Sequence, residues 1–150
     1  MNTLTQPIKT VNQLLYSKSA IARILNIALE EIEKYQIWHI GVWVKVIGKR
    51  PKIISFKTFK QHFVDFRKSN LEQLIANQDS QKSYFWDVYN PQKETWHRVK
   101  IEPLKITCTC GDWQTQNTLL PLACCKHCYK VLNQLGFNSL RDYLSQKQAA

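Results

Sequence analysis

"CTCGDWQTQNTLLPLACCKHC", residues 108–128, holds every cysteine of this 150-residue chain and one of its four histidines. Thr109 alone separates Cys108 from Cys110, Lys126 alone separates Cys125 from His127, and fourteen residues lie between the two pairs. Three thiolates and an imidazole suit one tetrahedral zinc ion, because soft sulfur ligands favour zinc or copper over magnesium or calcium. A C-x-C pair at a strand end or tight turn can aim both sulfurs at one point. A C-x-H pair at a helix start can add two more ligands from the first turn. Closing the intervening loop with a metal would stabilise a stretch that has few other anchors. Cys124 and Cys128 are extra thiols beside this set. Cys124 can replace Cys125 only by changing the spacing to C-x-x-H, and Cys128 reads as a small buried helix residue.

Working outward, "YFWDVY" (84–89), "TWHRVKIEP" (95–103) and "LKITCTC" (104–110) read as three short strands separated by "NPQKE" and Pro103. "CCKHCYKVLNQLG" reads as a helix ended by Gly136, and Asn138 or Ser139 can cap a last helix, "LRDYLSQK". Strands, then C-x-C, a spacer, C-x-H and the apolar helix "CYKVL" together resemble a SWIM-type zinc finger over residues 84–136. The resemblance implies a ββα-type module with one structural zinc on Cys108, Cys110, Cys125 and His127. It also implies association with DNA binding or with protein–protein contacts. Members of that family accompany helicase-like ATPases, transposases and recombination factors, and also occur as short stand-alone bacterial proteins.

The N-terminal half is read from its charge and its change of period. The chain carries 21 Lys and Arg against 11 Asp and Glu, a formal +10. Residues 36–68 hold eight of those cations against the single acid Asp65, which is seven of the ten net charges. A basic block of this kind suits a polyanion, most often nucleic acid. The periodicity predicts a helix with Val11, Leu14 and Leu15 on one face. A second helix follows, capped by Ser17 or Ser19, with Ile21, Ala22, Ile24 and Leu25 as its stripe. "ALEEIEKYQIW" predicts a third short helix with Leu29 and Ile32 inward, after a turn at Asn26. Two strands, 37–47 and 52–56, then enclose a "GKRP" tip at 48–51, and a helix with Phe59, Phe63 and Phe66 inward follows.

In outline this half is similar to excisionase-type and other winged-helix modules; plain core packing of helices around a hairpin fits equally. The would-be recognition helix, residues 28–35, carries Glu30, Glu31 and Glu33, which phosphates would repel. The candidate nucleic-acid contacts are therefore Lys45, Lys49, Arg50, Lys52, Lys57 and Lys60, at and near the hairpin. Trp38, Trp43, Phe56, Trp86, Trp96 and Trp113 are candidate stacking surfaces for single-stranded bases. Among them Trp43 and Trp86 read as core and Trp113 as exposed.

The expected fold is α+β, with a helical, winged-helix-like domain at 1–78 and a zinc module with C-terminal helices at 84–150; "DSQKS" (79–83) is the expected boundary. No apolar run reaches the ~20 residues of a membrane span, and "MNTLTQPIKT" lacks a secretion pattern, so a cytoplasmic location is expected. The chain has no H-E-x-x-H, P-loop or Gly-rich nucleotide loop, and His39, His62 and His97 are dispersed. A set of four protein ligands leaves no coordination position for a reacting water. The expectation is a non-enzymatic, zinc-stabilised binder of nucleic acid, DNA before RNA, acting as a regulator or accessory factor in recombination, mobile-element or defence machinery. The alternative is an adaptor that docks on a larger nucleic-acid enzyme.

Overall fold

A computed structural model describes residues 8–149. The first seven residues of the N-terminal stretch read for targeting lie outside the described residues. The fold is α+β, as expected, with two antiparallel sheets and helices. The chain divides into two compact units, Met1–Phe66 and Arg67–Ala150. No described helix is long and apolar enough to cross a membrane.

The first unit opens with α1 (Val11–Leu15) and α2 (Lys18–Leu25). Thr10 and Gln13 form a reciprocal capping box at the start of α1. Ser17, rather than Ser19, caps α2 by accepting the Ala20 N–H at 3.1 Å. Asn26 ends α2 in the left-handed conformation, and the Ile27 N–H returns to the Ala22 carbonyl. A single 3₁₀ turn, Leu29–Glu31, leads into a three-stranded sheet of β1 (Ile32–Trp38), β2 (Gly41–Val46) and β3 (Lys52–Ile54), in that order. The core joins Leu15, Ile21, Ile32, Val42, Val44 and Phe59, the last from α3 (Phe56–Lys68). Tyr16 meets the Phe59 ring edge-on at 5.3 Å.

The structure departs from the sequence reading here in several places. The strand expected over 37–47 is two strands, because the chain turns at 39–40 between Trp38 and Gly41, and Val11 and Leu29, expected inward, are exposed. Residues 28–35 are not a helix: after the 3₁₀ turn they pair with β2 from Ile32↔Val46 to Trp38↔Gly41, so the second helix of a helix-turn-helix is absent. Glu and Lys favour helix, but pairing Ile32, Tyr35 and Ile37 along the buried valines of β2 outweighs that preference. Trp43 is half-buried rather than core, because Val42, Val44 and Val46 take the inward positions of β2 and alternation turns Trp43 outward. Phe66 is 45% exposed, with the Arg23 guanidinium 3.9 Å from its ring centroid, so the inward stripe of α3 stops at Phe63.

In the second unit the sheet order is β4 (Ile75–Gln78), β5 (Phe85–Asn90), β6 (Thr95–Ile101) and β7 (Ile106–Cys108). Residues 75–78, assigned by the sequence reading to the first segment, pair with β5 and so belong to this sheet. Trp86, Val88, Val99, Ile106 and Cys108 are buried on one face, and α5 (Lys126–Gln134) lies against all four strands. Residues 111–119, left without structure by the sequence reading, form α4 (Gly111–Leu119). Gly136 ends α5 at φ +88°, with its N–H on Asn133 and the Phe137 N–H on Leu132, a pairing that needs the left-handed backbone glycine adopts freely. Ser139 then caps α6 (Leu140–Ala149) through the Asp142 N–H.

Candidate metal centre

Three chain segments deliver four candidate ligands. β7 ends at Cys108, Cys110 is the N-cap of α4, and Cys125 is the N-cap of α5 with His127 in the first turn. The Sγ atoms of Cys108, Cys110 and Cys125 and one ring nitrogen of His127 all lie within 4.8 Å of one another, so the four residues could hold one metal ion. His127 Nδ1 lies 3.7 Å from both Cys108 Sγ and Cys125 Sγ. All four residues are buried. Cys124 stands outside the group, so the structure brings Cys125 rather than Cys124 to the site. Cys128 Sγ is 3.6 Å from Cys125 Sγ but is likewise outside the set of four.

The electrostatics separate the ligand sulfurs from their neighbour. Cys110 raises the Cys108 thiol, but hydrogen bonds with Cys125, Cys128 and His127 outweigh it and bring Cys108 down to about 6. At Cys125 the upward push comes from Cys108, and bonds with Cys110, Cys128 and His127 again bring the thiol to about 6. Burial opposes charge on His127, yet the three thiols hold its imidazolium up to about 11. Bonds with Cys108, Cys124 and Cys125 push Cys128 well above the usual thiol range, so it stays protonated. Negative sulfur around one retained proton is the charge pattern that a bound cation would replace.

A second layer of residues holds these ligands in place. The Trp113 backbone N–H donates to Cys110 Sγ at 3.3 Å, which places that sulfur at the N-terminus of α4. Thr109, between the first two ligands, accepts the Arg98 N–H on its hydroxyl, and its own N–H returns to the Arg98 carbonyl. His97 Nδ1 lies 3.3 Å from the same hydroxyl. Burial, with smaller contributions from His127 and Lys126, holds the His97 imidazole below its ordinary value.

Gln116 holds the strand of chain that carries Cys125. It is 1% exposed. Its Oε1 accepts the Cys124 N–H at 3.0 Å, and its Nε2 donates to the Cys124 carbonyl at 3.1 Å and to Asp112 Oδ2 at 3.0 Å. Asp112 is gripped in turn by the Arg67 guanidinium through two bonds of 2.9 and 2.8 Å. A chain of contacts from Arg67 through Asp112 and Gln116 thus fixes the backbone beside Cys125. Sequence reasoning missed all three residues. Their separation in sequence carries no signal, and only the Asp112/Gln116 spacing of four within a helix hints at the contact. Trp113, expected to be exposed, is half-buried and donates its indole N–H to the Ile106 carbonyl at 3.0 Å.

The candidate nucleic-acid residues fall into two groups. Lys49, Arg50, Lys52, Lys57 and Lys60 are exposed, and no ion pair is formed by any of them among the described residues. Gly48 turns the β2–β3 loop at φ +75°, in the third position of a turn closed by Lys49 N–H to the Val46 carbonyl, where a type II turn calls for glycine. Lys45 differs: its ammonium donates to the Val46 and Lys49 carbonyls at 3.0 and 2.6 Å and lies 3.6 Å from Glu33. It fastens the turn and offers little free charge. Arg67, one of the eight cations of the basic block, is likewise engaged with Asp112. No family model matches this chain, and neither does any curated protein or solved structure.

Proposed function

We propose that this chain is a non-enzymatic nucleic-acid-binding protein, with DNA its expected target, whose second unit is a SWIM-type module built on one structural zinc ion. The zinc assignment rests on donor chemistry and spacing. A tetrahedral ion with Zn–S of about 2.3 Å and Zn–N of about 2.0–2.1 Å requires S···N edges of about 3.6 Å. Two of the three S···N separations here are 3.7 Å, and all donor atoms lie within 4.8 Å of one another. Four buried protein ligands complete such a sphere, so the ion's part is to hold β7, α4 and α5 together rather than to activate water. The SWIM reading rests on the order of strands, C-x-C, C-x-H and helix.

The observation that carries nucleic-acid binding is the exposed, unpaired group of Lys49, Arg50, Lys52, Lys57 and Lys60 within the basic block. If all five meet phosphates of duplex DNA, the logarithm of the binding constant falls with slope about −4.5 against log salt. Affinity then drops about 500-fold between about 50 and 200 mM salt. Titrating single- and double-stranded DNA at those two concentrations tests the reading. Salt-independent binding, or none at low salt, overturns it.

An adaptor role is the second reading, favoured by the uncovered face of the second sheet. There Trp96 is 60% exposed and stacks on Tyr89 at 4.4 Å, while the Arg98 charge is already balanced by Asp79 and Asp87. Such a face suits a protein surface better than a polyanion.

A further inference from the structure

The first unit exposes a second kind of surface next to its cations. Strand alternation and register place Lys34, Gln36 and Trp38 of β1, Trp43 of β2 and Ile53 of β3 on the face opposite the buried valines. Trp38 and Trp43 stack there, with ring centroids 5.8 Å apart and planes 11° from parallel. The stack covers one side of the Trp38 indole and leaves the residue 40% exposed. The indole N–H is held by the Gln36 side-chain oxygen at 3.0 Å, which fixes the ring plane. Exposed Trp38, half-buried Trp43 and exposed Ile53 form a contiguous apolar patch of the kind that marks an interaction site.

Charge indicates what binds there. Lys34 lies on the same face, and the cationic turn of Lys49 and Arg50 joins β2 and β3 at the far end of the sheet from the Trp38↔Gly41 pair; Lys52, in register with Val44, lies on the opposite face. The Tyr89–Trp96 pair of the second sheet, of which Trp96 is exposed, lacks this asymmetry, because its arginine is already matched by two carboxylates. Aromatic rings and exposed cations along one sheet are the two components that bind single strands: a base stacks on the ring while phosphates farther along the strand meet the cations. In duplex DNA the bases are already stacked on one another, so the ring gains nothing from it.

We propose that the Trp38–Trp43 face is a stacking platform for single-stranded nucleic acid, on which at least one unpaired base lies against the Trp38 indole. This rests on the nucleic-acid reading above and narrows it to unpaired strands. Gln36 keeps its side-chain N–H₂ beside the platform, within reach of the edge of a stacked base.

The test is fluorescence anisotropy of the full chain with a short fluorescein-labelled oligothymidine and with a short duplex. Trp38→Ala is expected to weaken oligothymidine binding roughly 5- to 160-fold and to leave duplex binding unchanged, and Trp38→Phe to recover most of the loss. If Trp38→Ala matches the wild type on oligothymidine while neutralising Lys49, Arg50 and Lys52 weakens both probes, nucleic-acid binding stands and the platform is overturned. If the wild-type chain binds neither probe, both readings fall and the face belongs to a protein partner. Should Trp38→Ala lose its fold, ultraviolet crosslinking of the wild-type chain to oligothymidine decides instead. An adduct on Trp38 or Trp43 supports the platform, and adducts confined to other residues overturn it.

Discussion

Replacing Gln116 by alanine should loosen the metal centre without touching a ligand. The side chain is 1% exposed and makes three hydrogen bonds, two of them to the N–H and carbonyl of Cys124. Truncation strands both backbone groups in a buried site, at about 1–3 kcal/mol each, so roughly 2–6 kcal/mol of stability is at stake. A water admitted to the gap would bring the loss toward the lower end. Cys124 precedes the ligand Cys125, so metal affinity should fall as well, by about 10- to 100-fold, the usual cost of losing an outer support. The assay is urea denaturation of the metal-loaded protein by circular dichroism, paired with competition against a chromogenic chelator. Gln116→Glu is the control: its carboxylate can still accept the Cys124 N–H, but it cannot donate to the carbonyl and it places a second negative group against Asp112. It should fall between the wild type and Gln116→Ala at best. An unchanged denaturation midpoint with unchanged metal retention in Gln116→Ala would refute the reasoning and show that the metal alone holds this loop.

Other outcomes follow from the same geometry. Cys110→Ser should lose the metal and unfold much of the second unit, while Cys124→Ser should keep it, as measured by metal analysis after gel filtration. Retention in Cys125→Ser with loss in Cys124→Ser would show that the wrong sulfur has been assigned. Folding lowers the Cys108 and Cys125 thiols to about 6. Their stabilising contribution is therefore complete above the ordinary thiol range near 9 and is lost as pH falls through about 6. Protons also compete with a bound metal for these sulfurs, so acidification should release the metal, followed by chelator absorbance across a pH series, and full retention at pH 4 would contradict this. Neutralising Lys49, Arg50 and Lys52 together should reduce the salt slope on duplex DNA by about two to three units, with the thermal unfolding curve unchanged.

The cluster of four was legible because metal ligation is local chemistry: two short motifs specify Cys108, Cys110, Cys125 and His127, which could hold one metal ion, without knowledge of the path between them. The path itself was not. α4 has a polar sequence, "GDWQTQNTL", whose buried residue is a glutamine and whose N-cap is a cysteine, so neither apolar periodicity nor the usual Ser, Thr, Asp or Asn cap marks it. The strands β5, β6 and β7 were legible from aromatic and β-branched runs broken by Asn-Pro and Pro. β4 was not, because a four-residue edge strand takes its identity from pairing with β5. β1 failed for the opposite reason. Its Glu and Lys residues favour helix locally, and the choice is made by the buried valines of a strand that comes later in the chain. Lys45 and the other lysines near the hairpin look alike in sequence; only the turn geometry shows that Lys45 caps carbonyls while Lys49 and Arg50 stay free of ion pairs. The Arg67–Asp112–Gln116 chain depends on contacts across 45 residues and four residues, and nothing in composition announces it.

Cys108, Cys110, Cys125 and His127 place their donor atoms within 4.8 Å of one another, and we propose that one zinc ion held there organises the second unit. X-ray absorption at the zinc edge, on purified protein with metal content measured in parallel, tests it most directly. One equivalent of zinc is expected, with three sulfur scatterers at about 2.3 Å and one nitrogen at about 2.0–2.1 Å. Four sulfurs, two sulfurs with added light scatterers, or no stoichiometric zinc in folded protein would contradict it.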